Sequence, residues 1–145
     1  MILLTVLPTV CILCAAISDW RKRIIPDWTW IAVLLIGAVC MAAGECIGGN
    51  LPEVFYIPIA ERVAGLVCPA TVLIIAALTR GGVGGGDIKL TAALGFTYGL
   101  FGLLFILCFS VVPACLYSFA TKQKSIPLAV FLAIGFLVYT CIPFG

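Results

Sequence analysis

Long apolar runs separated by short polar segments dominate the sequence. Six of these runs approach the roughly 20 residues that a helix needs to cross a bilayer. They are 2–17, 28–43, 62–79, 89–102, 103–120 and 126–142. The pattern predicts an all-α, polytopic membrane protein with six transmembrane helices, in one membrane-embedded domain over residues 1–145. Three glycines interrupt the fourth run, so its boundary with the fifth is the least well defined.

Basic residues are distributed unequally between the two sides of this predicted bundle. When the first connection, 18–27, is placed in the cytoplasm, seven of the eight Lys and Arg residues lie on the cytoplasmic side and only Arg62 lies outside. The connection 45–61 is acidic and rich in Gly and Pro, as expected of an exposed extracytoplasmic loop. We therefore expect both termini to be extracytoplasmic. Because the basic cluster follows the first run, we expect a retained helix rather than a cleaved signal peptide.

Composition supports the membrane interpretation and removes several kinds of chemistry. The 145 residues are 64% hydrophobic and 10% charged, with a mean hydropathy of +1.30. A net charge of +2, with no basic run longer than three residues, predicts no nucleic-acid partner. The sequence has no His, the commonest metal ligand and general base, and we expect neither a metal nor a cofactor. Seven of the eight cysteines lie in apolar runs, where packing is the expected use, also for the Cys11–Cys14 pair.

Two aspartates lie at the predicted cytoplasmic edge of the membrane. Asp19 closes the first apolar run, and Asp87 opens the fourth, directly after the glycine-rich segment 81–86. An acid at a membrane boundary is a functional candidate, because its charge is costly there without a partner or a task. The alternative is structural: Asp87 caps the fourth helix, and Asp19 pairs with a basic residue of the cluster that follows it.

Small side chains line the helix faces that lead to both aspartates. They are Thr91, Gly95 and Gly99 after Asp87, and Ala16, Ala15 and Cys11 before Asp19. Narrow faces let membrane helices approach closely, so we expect the first and fourth helices to pack together and to juxtapose the two carboxyl groups. Generic small-residue packing is the alternative. Two carboxyl groups that cannot both ionise are the apparatus of aspartic proteolysis.

Helix polarity and the glycine run refine this hypothesis. Asp87 lies at a positive helix N-terminus and Asp19 at a negative helix C-terminus, which predicts that Asp87 is the ionised member of the pair. Gly84, Gly85 and Gly86 have no Cβ, so an extended substrate backbone can approach the acid. No Gly-Lys-Ser/Thr follows, which excludes a phosphate-binding loop of the usual kind.

The two aspartate segments resemble the motifs of a known family. Gly84-Gly85-Gly86-Asp87-Ile88-Lys89-Leu90 resembles the GxGD-x-K-L pattern of type IV prepilin peptidases, and Asp19 followed by Arg23-Ile24-Ile25-Pro26 resembles their first aspartate motif. The resemblance extends to the six-span layout and to nearly the whole chain. It implies a membrane aspartic endopeptidase of the bacterial inner or archaeal plasma membrane. Such an enzyme cuts the short basic leader of prepilin or pseudopilin precursors on the cytoplasmic side, with Asp19 and Asp87 as the catalytic dyad.

The short first connection implies a compact form of this family. Longer members carry two CxxC pairs there, linked to zinc and to N-methylation of the new terminus, whereas 18–27 contains no Cys. The chain is similar in this respect to the peptidase-only enzymes of Flp/Tad-type and Gram-positive systems, and we expect no methyltransferase activity.

Residues flanking the dyad are candidates for substrate binding or support. They are Gly84, Gly85, Gly86, Lys89, Asp27, Pro26 and Arg23. Asp27 stands where the family often has Asn. It either caps the second helix or forms a third acid that favours a basic leader. Lys89 either stabilises the ionised dyad or extends to the lipid headgroups.

Two functions of other classes remain as alternatives. A small ion- or proton-coupled transporter would use the same acids in a six-helix bundle, and predicts ion flux without peptide cleavage. That reading leaves the glycine run unexplained. A non-catalytic assembly subunit would keep its function when either aspartate is changed to Asn.

Overall fold

The computed structural model describes residues 2–22, 24–47, 57–80, 84–121 and 128–141. These residues form helices and no strands, which confirms the all-α class. The five helices are α1 (Ile2–Lys22), α2 (Asp27–Ile47), α3 (Ile59–Arg80), α4 (Gly85–Thr121) and α5 (Leu128–Cys141).

Two helical stretches, Ile59–Thr79 and Gly85–Tyr117, are long and apolar enough to cross a membrane. Two shorter apolar helices are Asp27–Ala43 and Leu128–Cys141. Large apolar side chains on the outside of the bundle, such as Phe101 and Phe119, are well exposed, as a lipid-facing surface requires. Six membrane spans and extracytoplasmic termini stay predictions.

Helix α4 joins the predicted fourth and fifth spans and bends at Gly99. Gly99 has φ 73° and ψ 175°, a conformation that favours glycine. The bend is sharp, because a Cβ on Gly95 would lie 3.0 Å from Leu103 Cδ2, whereas residues eight apart in a straight helix are separated by about 12 Å. We call 85–98 the first arm and 100–121 the second arm. The predicted boundary after Gly102 is therefore wrong by a few residues. The backbone turns at Gly99, because a positive φ is strained for any residue that has a Cβ.

Two adjacent charged residues of α3 bind the backbone groups that this bend leaves open. The guanidinium Nη1 of Arg62, which is fully buried, donates to the carbonyls of Phe96 (3.2 Å) and Thr97 (3.3 Å), at the end of the first arm. Glu61 Oε1 accepts a longer bond, 3.5 Å, from the N–H of Phe101, at the start of the second arm. The last carbonyls and first N–H groups of a helix lack partners within it. Glu61 and Arg62 therefore supply partners on both sides of the break.

The backbones of α3 and the first arm touch at Gly65 and Gly95. A Cβ on either glycine would collide with the carbonyl oxygen of the other. Pro69 lacks the N–H that would otherwise bond to the Gly65 carbonyl, so that oxygen is available to face Gly95. The small-residue stripe of the fourth helix thus packs on α3. The predicted close approach of the first and fourth helices is wrong: the backbone of α1 lies against α5 and α2, and α1 meets α4 only through buried side chains of a shared core.

The core lies where α1, the first arm and α5 converge. Its fully buried side chains include Ile12, Ala15, Leu90, Leu94 and Phe136. Cys11 is buried in the same core, and both Cys11 and Cys14 are free thiols. This core fixes the end of α1 against the starts of α4 and α5, which is where the two aspartates lie.

Candidate active site

Four helix termini meet at one end of the bundle. Asp19, near the end of α1, accepts a hydrogen bond from Ala129 in the first turn of α5. Lys89, near the start of α4, forms an ion pair with Asp27 at the start of α2. The structure therefore gathers the predicted site residues that it describes: Asp19, Asp87, Gly84, Gly85, Gly86, Lys89, Asp27 and Pro26. Arg23 lies outside the described residues, and its role in substrate binding or support stays a prediction.

Asp19 is buried at the positive end of α5. Only 6% of its surface is exposed, and its Oδ2 lies 3.2 Å from the N–H of Ala129. First-turn N–H groups have no partner within their own helix and favour an adjacent negative charge. Asp19 lies near the end of α1 and Asp87 near the start of α4, as predicted, but the start of α5 also faces Asp19. The polarity argument no longer distinguishes the two acids.

Asp87 occupies the third position of α4, above the glycine segment. Its backbone N–H donates to the Gly84 carbonyl at 3.1 Å, which starts the helix. The Gly84 backbone also hydrogen-bonds to the Asp87 carboxyl group, and the charge of Asp19 acts on it. Oδ1 of Asp87 is buried and has no hydrogen-bond partner among the described residues. The two acids are thus within electrostatic range, although their own helices are joined through α2 and α5.

This arrangement supports acid–base chemistry on a neutral peptide bond. Two neighbouring carboxyl groups shielded from water disfavour double ionisation, so the pair tends to keep one proton. One member can then take a proton from water while the other gives its proton to a carbonyl oxygen. An unpartnered buried oxygen is costly, and a substrate carbonyl or a water molecule would supply the missing partner of Asp87 Oδ1.

Asp27, Trp30 and Lys89 form an exposed cluster beside the two acids. Asp27 Oδ1 accepts hydrogen bonds from Trp30 Nε1 at 2.9 Å and from Lys89 Nζ at 3.1 Å. The Trp30 hydrogen bond and the Lys89 ammonium hold the pKa of Asp27 below its usual range. Asp27 itself precedes the apolar run of α2. Lys89 also lies 5.4 Å from the centre of the Trp30 ring. Lys89 therefore pairs with Asp27, a partner that neither sequence-based alternative included.

Pro26 and the glycines shape the backbone around the site. The Pro26 carbonyl accepts from the N–H of Thr29 at 3.1 Å and from its hydroxyl at 2.7 Å, which begins α2. A Cβ on Gly86 would lie 2.9 Å from Ile25 Cβ, so glycine is needed for that contact. A Cβ on Gly85 would meet nothing within 4 Å. Open space therefore lies beside the start of α4.

Sequence reasoning missed two groups at this site. Trp30 stands three residues after Asp27, a spacing at which side chains on a helix meet, so the pair was within reach of the pattern. The Ala129 N–H had no sequence signal, because any residue but proline supplies one. Within the described ranges, no group of three or more His, Cys, Asp or Glu residues is placed to bind a metal ion.

The chain is similar to known peptidases. The model of the type IV leader peptidase family matches residues 5–119, a stretch that includes both aspartates. A curated protein of Bacillus subtilis (strain 168), the prepilin leader peptidase/N-methyltransferase, is 33% identical over 127 residues. The match covers 83% of this chain and 48% of that protein, so the chain spans about half the length of the relative. No solved structure matches the chain.

Proposed function

The chain belongs to the type IV leader peptidase family, and from this premise we propose that it is a membrane aspartic endopeptidase acting on prepilin-like precursors. Membership in a peptidase family and the apolar helices indicate an integral membrane peptidase. The proposal adds the catalytic groups, the reaction and the substrate. Asp19 and Asp87 activate water to cut the short basic leader of prepilin or pseudopilin precursors, at the cytoplasmic face of the inner or plasma membrane.

One observation carries this proposal: two acids from distant parts of the chain meet at one end of the bundle. Asp19 and Asp87 interact electrostatically, and Asp87 presents a buried, unpartnered oxygen beside an open glycine segment. The bond between the Gly84 backbone and the Asp87 carboxyl group caps the start of α4, but this cap involves neither Asp19 nor the unpartnered Oδ1. The name of the Bacillus subtilis relative supports the choice of a prepilin leader as substrate.

The contacts favour a division of labour within the dyad. Asp19 accepts an N–H from α5, which favours its ionised form; Asp87 accepts one from the Gly84 backbone, but its bare and buried Oδ1 favours a protonated carboxyl group. Asp19 takes a proton from water as the oxygen attacks the scissile carbonyl carbon, and Asp87 gives its proton to the carbonyl oxygen. As the tetrahedral intermediate collapses, Asp19 gives its proton to the departing amine nitrogen, the C–N bond breaks, and Asp87 regains a proton from a hydroxyl of the intermediate. The leader leaves with a new carboxylate, and the mature chain has a new amino terminus.

The exposed cluster beside the dyad supports recognition of a basic leader. Asp27 is ionised and lies at the cytoplasmic end of α2, where a cationic leader would approach. A precursor anchored by its apolar helix would present the bond before that helix at a fixed depth. Such anchoring supplies orientation that otherwise has to come from a long binding cleft.

Methyl transfer is absent from the proposed activity. The relative bears both activities in its name, and only the peptidase activity is carried into this proposal. The connection between α1 and α2 is short and has no Cys, unlike that of the longer members of the family.

The test is cleavage of a candidate prepilin by the purified full chain in vesicles of phosphatidylethanolamine and phosphatidylglycerol. The products are identified by a size shift and by mass spectrometry of the new terminus. We expect an unmethylated terminus directly before the apolar segment, and no cleavage by Asp19→Asn or Asp87→Asn. Retained cleavage by a folded variant would reject that residue. Proton- or ion-dependent flux without cleavage of any prepilin class would favour the transporter.

A further inference from the structure

We propose that the segment 24–26, between α1 and α2, is a clamp that sets the distance between the two acids, and that Ser18 is the positioning residue that anchors this clamp to α1. The inference rests on the proposed function, because it concerns the spacing of the proposed dyad. It assigns a role to a hydroxyl group that the reaction itself does not use. Ser18 acts through the clamp and takes no part in proton transfer.

The distance between the two acids is not set by direct backbone contact of their helices. Within the described residues, α1 and α4 meet only through side chains of the shared core. Asp19 is held from one side by the Ala129 N–H of α5. Because the interaction of two charges changes with their distance, a further element is needed to fix the start of α4, where Asp87 lies, relative to the end of α1.

The clamp is attached to α1 next to the first acid. The hydroxyl of Ser18, which directly precedes Asp19, donates to the Ile24 carbonyl at 2.8 Å. The bond closes the turn that leads out of α1. The side chain of Ile24 is 67% exposed and packs little, so its carbonyl is what makes this attachment.

The clamp contacts α4 next to the second acid. Ile25 packs on Gly86, which directly precedes Asp87, and a Cβ on Gly86 would lie 2.9 Å from Ile25 Cβ. The Asp27–Lys89 ion pair lies beyond the clamp and is exposed, and such a pair adds little to the attachment. Three consecutive residues therefore connect the neighbour of one acid to the neighbour of the other.

The clamp has the rigidity that positioning requires. Ile25 also packs against the hydrophobic core. Pro26 has a fixed φ, and its carbonyl accepts from the hydroxyl of the fully buried Thr29 at 2.7 Å. The Ser18 bond, in contrast, is exposed, so water can replace it at little cost in stability. Its removal should loosen the clamp and leave the fold intact.

Cleavage kinetics of the full chain in vesicles test the anchor. Since misplacing reacting groups by about 1 Å costs on the order of 100-fold, a smaller shift in Ser18→Ala should lower kcat about 10-fold. KM should stay native, because Asp27 is unchanged, and Ser18→Thr, which keeps a hydroxyl, should restore kcat. The matched control is Thr71→Ala, which removes an exposed 2.7 Å bond from a hydroxyl to a carbonyl of α3. A native kcat in Ser18→Ala, or an equal loss in Thr71→Ala, would overturn the proposal.

A titration without substrate separates failure of the clamp from failure of the proposed function. Infrared titration of labelled aspartate carboxyl groups gives two steps for a coupled pair. We expect the gap between these steps to narrow in Ser18→Ala, because acids that are further apart interact less. The other charged side chains described at this end are the same in both proteins: Arg21, Lys22, Asp27 and Lys89. An unchanged gap would overturn the clamp, whereas no prepilin cleavage by the native protein would reject the peptidase alone.

Two neighbouring isoleucines test the other end of the clamp. Ile25→Ala removes the side-chain atoms beyond Cβ, which lie beside Gly86. Ile24→Ala shortens an exposed side chain of the same type and keeps the carbonyl that Ser18 binds. We expect a lower kcat and a narrower titration gap in Ile25→Ala only. Equal values for the two variants would contradict the attachment to α4.

Discussion

The carboxylate of Asp19 accepts a hydrogen bond from the N–H of Ala129, 110 residues further along the chain, at 3.2 Å. The bond joins the end of α1 to the start of α5. Asp87 also has a donor, the Gly84 backbone, but its buried Oδ1 is without a partner among the described residues. This difference between two otherwise equivalent acids underlies the first prediction.

Asp19 should ionise before Asp87 when the pair titrates. The two acids are coupled, so the first macroscopic step belongs mainly to the member whose charged form is better stabilised. Infrared titration of protein with isotope-labelled aspartate carboxyl groups measures this order. We expect Asp19→Asn to remove the lower step and Asp87→Asn to remove the upper step. The reverse assignment would restore the order expected from the polarity of α1 and α4 alone.

Replacing either acid should abolish most of the turnover without unfolding the protein. We expect kcat to fall about 10²- to 10⁴-fold in Asp19→Asn and in Asp87→Asn, because each removes one half of the general acid–base pair. The double variant should be no slower than the worse single variant, since the two groups act as a unit. Asp27→Asn is the matched control and should raise KM while leaving kcat near the native value. Multiplicative losses in the double variant would argue against joint action.

Trp30 should control the pH at which leader binding is lost. Asp27 attracts a basic leader only while it is ionised, that is, above its pKa, and the Trp30 hydrogen bond and Lys89 lower that pKa. Trp30→Phe removes the first of these effects, so the pKa of Asp27 should rise. The increase of KM on acidification should then begin at a higher pH. Because the pKa of Asp27 lies below its usual range, measuring KM from about pH 3 to 6 tests this. Asp27→Asn should flatten the profile, and an unchanged profile in Trp30→Phe would contradict the assignment.

Arg62 should be needed for stability and not for chemistry. Its guanidinium is fully buried and donates to carbonyls of the first arm, α2 and the segment before α3. In Arg62→Met each carbonyl left without a partner costs about 1–3 kcal/mol. We expect a clear fall of the Tm in detergent, measured by intrinsic fluorescence. The exposed Arg21 offers a matched control, and Arg21→Met should change the Tm little. Equal Tm values for the two variants would show that the hydrogen bonds of Arg62 to these carbonyls do not stabilise the protein.

The Gly65–Gly95 crossing should tolerate no side chain. Gly65→Ala places a methyl group against the Gly95 carbonyl and should destabilise the protein by about 1–3 kcal/mol. Gly85→Ala is the control, because a Cβ there meets nothing within 4 Å. Its stability should stay at or slightly above the native value, since Ala is the better helix former. Thermal unfolding of both variants in one detergent gives the comparison.

The sequence predicted the composition of the site better than its architecture. Apolar runs and the two acidic motifs were enough to predict a helical membrane peptidase, and the family match confirms that relationship. The glycine stripe predicted close packing but not its partner. A face without side chains accepts any helix, and here the free carbonyl created by Pro69 lies on α3. Which helices touch is decided by such backbone contacts, and periodicity does not encode them.

Long-range polar contacts were also beyond sequence reasoning. The charge distribution placed Arg62 on the extracytoplasmic side, but nothing in the sequence indicated that it is buried among carbonyls of three segments. The position of the α4 bend was equally hidden. Several glycines of that run could have allowed the backbone to turn, but only Gly99, which lies between the groups bound by Glu61 and Arg62, adopts a positive φ. The dyad at the cytoplasmic face, the support residues and the six-span topology stay predictions.

The distance in sequence between Asp19 and Ala129 also bears on how the protein is made. A ribosome that has released α1 to α4 into the membrane has produced both acids, but not the N–H that Asp19 accepts. The growing chain therefore cannot form this bond between α1 and α5 until α5 itself has been made.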